Sequence, residues 1–263
     1  MRAAGFRMSI AFSLFASFGL MASPASAQPG RTTVCQQVAT NVGVRNPATN
    51  QVIVVLADTT TLAKATLEVA TRTRKGWTCA PAMSARVGRQ GVRPFVDRRS
   101  GDDTTPAGVF PVGTMTAWDG QVFSFFGNGA DPGVSAGTYR RVREGDCFGA
   151  TPNNVDYGHL VQRTKADCPG PNDEYLPGVK TAYIHAALIG ANMEPNVSGD
   201  APGEIPYASA IFLHRFNLDA NGNPLATSGC VSLGLNNLVE VLNGKQPTTM
   251  FAIGEPKWLL ANS

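Results

Sequence analysis

Apolar and polar positions alternate with period two over much of the chain, which predicts strands rather than helices. In residues 66–71, Leu67 and Val69 alternate with Thr66 and Glu68, as a half-buried strand requires. Residues 51–56 are a short, β-branched run, and the two segments read as a hairpin closing through Trp77. Residues 83–87 supply a third strand ended by Gly88 and Gly91, and 114–126 an extended aromatic segment. Residues 183–189, 208–216 and 249–253 complete the set of apolar strands. Between them lie a disordered-looking stretch rich in Asp, Arg and Thr that runs to Thr105, a Gly/Pro/Ser-rich loop at 127–137, and a turn-rich excursion at 153–176. Asn221-Gly222 is a strong turn signal that folds residues 225–232 back toward 208–216. Past the first 27 residues, one segment has clear helical spacing: Leu235, Leu238, Val239 and Leu242, with Gly244 placed to end it. With no internal repeat and no long linker, the pattern predicts a single mainly β domain with one short helix.

The first residues read differently. Arg2 and Arg7 precede an apolar run at 8–21, and Ala25-Ser26-Ala27 is a small-x-small cleavage site, the pattern of a secretory signal. The run is shorter than the roughly 20 apolar residues that a membrane span wants. The expectation is a signal peptide at 1–27, a mature domain at 28–263 without a transmembrane span, and export to the periplasm, cell wall or medium. Loss of two arginines with the signal leaves 20 basic against 19 acidic residues. That balance argues against nucleic acid, which needs a concentrated basic face. The local basic runs, at Arg86, Arg89, Arg93, Arg98 and Arg99 and at Arg140, Arg141 and Arg143, read as solvated loop faces.

Five cysteines in an exported chain suggest disulfides and a remainder. Cys35 and Cys79 flank one region, and Cys147 and Cys168 another; four cysteines allow three connectivities. Pairing by proximity leaves Cys230. A free thiol is an oxidation liability outside the cell, and nucleophilic chemistry is a reason to keep one.

Cys230 follows Gly229 and lies sixteen positions after His214, which ends an apolar strand. A glycine there lets the backbone turn sharply, exposing the sulfur beside backbone N–H groups, while the strand delivers a base. Thiolate, base and N–H donors are the parts that acyl transfer through a thioester needs. The helix that begins shortly after Cys230 adds a dipole favouring thiolate. The bland alternative is a buried structural cysteine beside an unrelated histidine. Zinc is disfavoured because no Cys-x-x-Cys or His-x-x-x-His spacing is present. No cofactor is expected. Asn196-Val197-Ser198 matches a glycosylation acceptor by composition alone.

Three segments, in this order, resemble the YkuD-type L,D-transpeptidase catalytic domain of bacterial cell-wall enzymes: Thr105-Pro106-Ala107-Gly108-Val109-Phe110 preceded by Val87-Gly88, Ala210-Ile211-Phe212-Leu213-His214, and Thr227-Ser228-Gly229-Cys230-Val231. Tyr139-Arg140-Arg141-Val142 and Tyr157-Gly158-His159-Leu160-Val161 are similar to a secreted subgroup. The resemblance covers about residues 52–253. It implies a β-rich, sandwich-like fold and attack by Cys230 on peptidoglycan stem peptides, with His214 as base and the backbone N–H groups of Ser228, Gly229 and Cys230 as oxyanion hole. Ser228 stands where the best-known form has histidine, and Ser232 where arginine or asparagine is common; both departures bear on substrate choice. Thr227, Tyr183 and His185 are candidate walls of the substrate site, although His185 reads more simply as a hydrogen-bonded core histidine. Two rivals remain: an L,D-carboxypeptidase or amide hydrolase at the same site, and a catalytically weak wall-binding module.

Overall fold

In a computed structural model, residues 32–168, 170, 172–193 and 204–263 are described. The proposed signal, its cleavage site and the Asn196 acceptor pattern lie outside them. From Thr32 to Ser263 the chain is one compact unit.

The described residues open with a helix, α1 (Val34–Arg45), which the period-two pattern does not predict. Its signals are local: Thr33 and Gln36 form a reciprocal capping box, and Cys35, Val38, Ala39 and Val42 make a buried stripe at helical spacing. The central hairpin then appears as expected, β1 (Gln51–Ala57) and β2 (Lys64–Thr73), paired antiparallel with Ile53 opposite Val69. β3 (Gly76–Cys79) extends it through Trp77, and β4 (Met83–Arg86) pairs with the other end of β2 along the same edge, away from β1. β1 is buried on both faces: Val52 and Val54 pack under α1, while Ile53 and Val55 enter the main core. That is why its sequence runs apolar without alternation.

The stretch expected to be disordered is a built loop. It carries β5 (Val92–Pro94) and a 3-10 turn, Phe95–Asp97, before β6 (Thr105–Pro111). The aromatic segment that follows divides into a two-stranded pair, β7 (Met115–Thr116) and β8 (Val122–Phe123), then β9 (Phe125–Gly127) and β10 (Tyr139–Arg141). The excursion is a small sheet of β11 (Asp146–Phe148), β12 (Leu160–Gln162) and β13 (Glu174–Tyr175). Next come β14 (Ala186–Leu188), β15 (Phe212–Arg215), β16 (Val231–Leu233), α2 (Leu235–Asn243), β17 (Thr249–Gly254) and α3 (Pro256–Asn262). The expected single helix is α2; α1 and α3 are two more, packed on each other.

One 12-stranded mixed sheet runs β10-β9-β14-β15-β16-β4-β2-β1-β17-β6-β5, with β3 on β2. The fold is mainly β. Two expected strands are shorter than their apolar runs. Residues 182–184 form a 3-10 turn instead of the start of β14, and Tyr183 is kinked there, turning its ring into the cluster of Phe126, Phe212 and His214. Ala210 has φ +54°, which stops β15 from extending toward Ala208.

Disulfides join Cys35 to Cys79, tying α1 to β3, and Cys147 to Cys168, closing the excursion; Cys230 is free. Two arginines that read as solvated are buried. Arg98 is 3% exposed, and Arg140 is fully enclosed with Asp146. An arginine in a charge run looks the same in sequence whether or not a carboxylate waits for it in the fold.

Candidate active site

β15 and β16 lie side by side and parallel, Leu213 opposite Val231 and His214 opposite Ser232. Cys230 immediately precedes β16, so a base-bearing strand and a thiol-bearing turn meet at one place. The Asn221-Gly222 turn does what its sequence suggests, closing a bridge between Leu218 and Pro224.

The turn before Cys230 is held from three sides. The Thr227 hydroxyl accepts a hydrogen bond from Gly229 N–H at 3.2 Å and donates to the Cys230 carbonyl at 2.6 Å. The Thr105 hydroxyl donates to that same carbonyl at 3.2 Å and accepts from Gly88 N–H at 2.8 Å. The Thr-Pro segment at the start of β6 thus anchors the Cys230 turn from across the chain. Gly229 has φ +146°, and a Cβ there would sit 2.8 Å from Arg98 Nη2. No other residue type meets both conditions without strain. Of the three candidate oxyanion donors, Gly229 N–H is already engaged by Thr227, while those of Ser228 and Cys230 have no partner among the described residues.

The sulfur itself is buried rather than exposed. Cys230 is 8% accessible; its thiol donates to the Ala210 carbonyl at 3.3 Å and accepts from Phe212 N–H at 3.4 Å. The left-handed backbone at Ala210 lies directly beside that contact. Burial, then the nearby Glu174 carboxyl, pushes the thiol pKa up to about 12, against the smaller opposing pulls of Phe212 N–H and Arg98. The expected dipole-stabilised thiolate is therefore not the resting state: β16 and Gly234 intervene before α2 begins, and desolvation outweighs a field that fades within one turn.

His214 is 5% exposed, and its Nδ1 lies 2.6 Å from the Arg215 carbonyl. A carbonyl can only accept, so Nδ1 carries the hydrogen and Nε2 is left basic. Burial depresses the imidazolium, to a pKa of about 4, so the ring is neutral at pH 7. Tyr183 presents its ring edge-on at 5.4 Å. Resting thiol and neutral imidazole are the forms that a general-base mechanism starts from.

Cys230 lines two cavities. One of about 350 Å³ holds His214, Tyr183, Thr227 and Leu225. The other, about 500 Å³, is more polar and includes Arg98, Asp103, Asp173 and Ser209. Arg89, Glu174 and Ser228 line both. Of the candidate wall residues, Thr227 and Tyr183 thus join the pair, whereas His185 receives or gives a hydrogen bond at Tyr139 (3.1 Å) and lines neither cavity. Ser228 is exposed and within 3.3 Å of Arg89 Nη2, a rim position. Ser232 is not on the rim: it is fully buried opposite His214, lines neither cavity, and its hydroxyl has no partner among the described residues.

Three residues here escaped the reading of the sequence. Glu174 sits in the excursion, where nothing links it to Cys230. Arg98 is held by the Thr104 and Tyr207 carbonyls at 3.1 and 2.8 Å, beneath Gly229. Ala210 was read as ordinary strand. Among the described residues, the group with metal-ligand spacing is Cys35, Glu68 and Cys79, and its two sulfurs are joined in a disulfide. No helix among them is long and apolar enough to cross a membrane.

Alkylation of Cys230 in the free protein should follow this geometry. The rate is expected to climb about tenfold per pH unit from pH 7 to beyond 10, because only the thiolate reacts. An ordinary thiol levels off near pH 8.5–9. A plateau near neutrality, measured by mass spectrometry of the Cys230 peptide, would instead report a preformed thiolate–imidazolium pair.

A family model described as an L,D-transpeptidase catalytic domain matches residues 50–250. No curated protein matches the chain.

Proposed function

Because the chain belongs to the L,D-transpeptidase catalytic domain family, whose members act on peptidoglycan, we propose that Cys230 attacks a stem-peptide carbonyl and carries the acyl group as a thioester. The observation that supports this most is the pairing of one free thiol with a neutral, Nδ1-anchored histidine in one cavity.

As the carbonyl approaches, the thiol hydrogen leaves the Ala210 carbonyl and passes to His214 Nε2 while sulfur attacks. The Ser228 and Cys230 N–H groups receive the developing oxyanion; such a donor contributes about 3 kcal/mol to barrier lowering. The imidazolium gives its proton to the departing D-residue amine. An amine from a second stem then resolves the thioester as a cross-link; water in its place makes the same site an L,D-carboxypeptidase. Thr227 and Tyr183 serve as walls. The two disulfides suit the exported setting that a peptidoglycan substrate implies, and we place the mature domain at 28–263.

Incubating the protein with tetrapeptide stems and resolving the products by mass spectrometry tests this. The account expects release of the terminal D-residue and stem-to-stem dimers. Release without dimers under ample acceptor would assign hydrolysis, and binding without turnover would leave a wall-binding module.

A further inference from the structure

The two cavities at Cys230 share a carboxyl group that has no part in the proposed acylation. Glu174 stands on β13, opposite Phe148, six positions past the Cys147–Cys168 disulfide. One of its oxygens, Oε2, accepts a hydrogen bond from the Tyr183 hydroxyl. The other has no donor among the described residues. Both cavities that Cys230 lines count Glu174 in their lining.

The neighbouring charges are already matched. Arg89 pairs with Asp103 at 2.6 Å. Arg98 is held by two carbonyls and lies 3.7 Å from Asp102. Asp173 turns one oxygen to the Ala150 and Thr151 N–H groups, both at 2.8 Å. His214 is neutral, and Tyr183, its pKa raised well above 10 by burial, remains a phenol. Asp173 lines only the more polar cavity, whereas Glu174 lines both beside Cys230, acts on the thiol, and keeps an oxygen without a donor among the described residues, so it is the carboxylate placed to meet an incoming cation there.

The second half-reaction brings one. An aliphatic amine arrives as an ammonium, which has no lone pair, and must lose two protons before it ends as an amide nitrogen. His214 can accept one. Resting on the thioester reading above, we infer that Glu174 receives the acceptor amine, pairing with its ammonium in the cavity beside Cys230 and taking the first proton. The freed lone pair forms the N–C bond. The second proton passes to His214 Nε2, the C–S bond breaks, and that proton returns to sulfur. Glu174 then releases its own proton to solvent through the cavity. Burial brings the carboxyl pKa up to about 7, against the lowering pull of the Tyr183 hydroxyl. A base of that strength both accepts and releases a proton near neutral pH.

Glu174→Gln separates this role from a structural one, since glutamine keeps the volume and still accepts from Tyr183 but has no charge or basicity. Transfer should be measured to two acceptors at pH 7: a tripeptide stem, whose amine is protonated, and hydroxylamine, which is not. The expected result is a fall of about 100-fold in stem transfer relative to hydroxylamine transfer, with an unchanged melting temperature. Glu174→Asp should recover part of the loss. Equal losses with both acceptors, or no loss with either, would overturn the assignment. Failure of the wild-type protein to form any acyl adduct on Cys230 would instead remove the thioester reading beneath it.

Discussion

Cys230→Ser is expected to lose D-residue release and cross-linking together, by on the order of 10⁴-fold or more. The size follows from the weakness of the base. With its pKa depressed to about 4, His214 accepts a proton only as bond formation to the substrate makes the nucleophile's hydrogen acidic. A thiol reaches that point far earlier than a hydroxyl, and a serine oxygen has shorter bonds to Cβ and substrate than sulfur. The fold should not register the change, because the contacts of Cys230 Sγ with Ala210 and Phe212 are ones a hydroxyl can also make. Circular dichroism and melting should match wild type. A serine variant with wild-type release would remove the mechanism.

Arg140→Met should produce the largest loss of stability. Arg140 and Asp146 are both fully buried, joined by two hydrogen bonds, one of them 2.9 Å long. Arg140 Nη2 also reaches Asp119 at 3.1 Å. Methionine fills the volume but leaves the Asp146 carboxylate with only Trp118 Nε1 and Arg143 N–H, both at 2.8 Å, as donors. Orphaning a buried charge typically costs about 3–5 kcal/mol, which in a domain of this size lowers the melting temperature by about 10 °C. Adding Asp146→Leu should recover part of the loss, since the uncompensated charge is then gone. A scanning-calorimetry shift of a degree or less would show that the pair contributes little.

What the sequence revealed and what it hid divide along a physical line. β2 and α2 each bury one face, so their apolar spacing carries the period of the element. α1 was overlooked because its buried stripe is short and made of small residues; its one sharp signal was the Thr33–Gln36 capping box. At the candidate site, the Gly229-Cys230 turn and the His214 strand were legible because the proposed acyl transfer needs those residue types at that spacing. Glu174 and Arg98 were not. Each acts through neighbours brought close only by the fold: Glu174 reaches Tyr183 from β13, and Arg98 reaches the Tyr207 carbonyl across 109 positions. The protonation state of Cys230 was hidden for the same reason. A dipole is visible in sequence, but the desolvation that opposes it appears only when the packing around the sulfur is known.

The most direct test of the thioester account is the intact mass of wild-type protein quenched in acid during turnover of a tetrapeptide stem. The account predicts an adduct equal to the stem less its terminal D-residue, released by hydroxylamine and mapped by peptide digestion to Cys230. Turnover with no adduct under conditions where deacylation is limiting, or an adduct on any other residue, would contradict it.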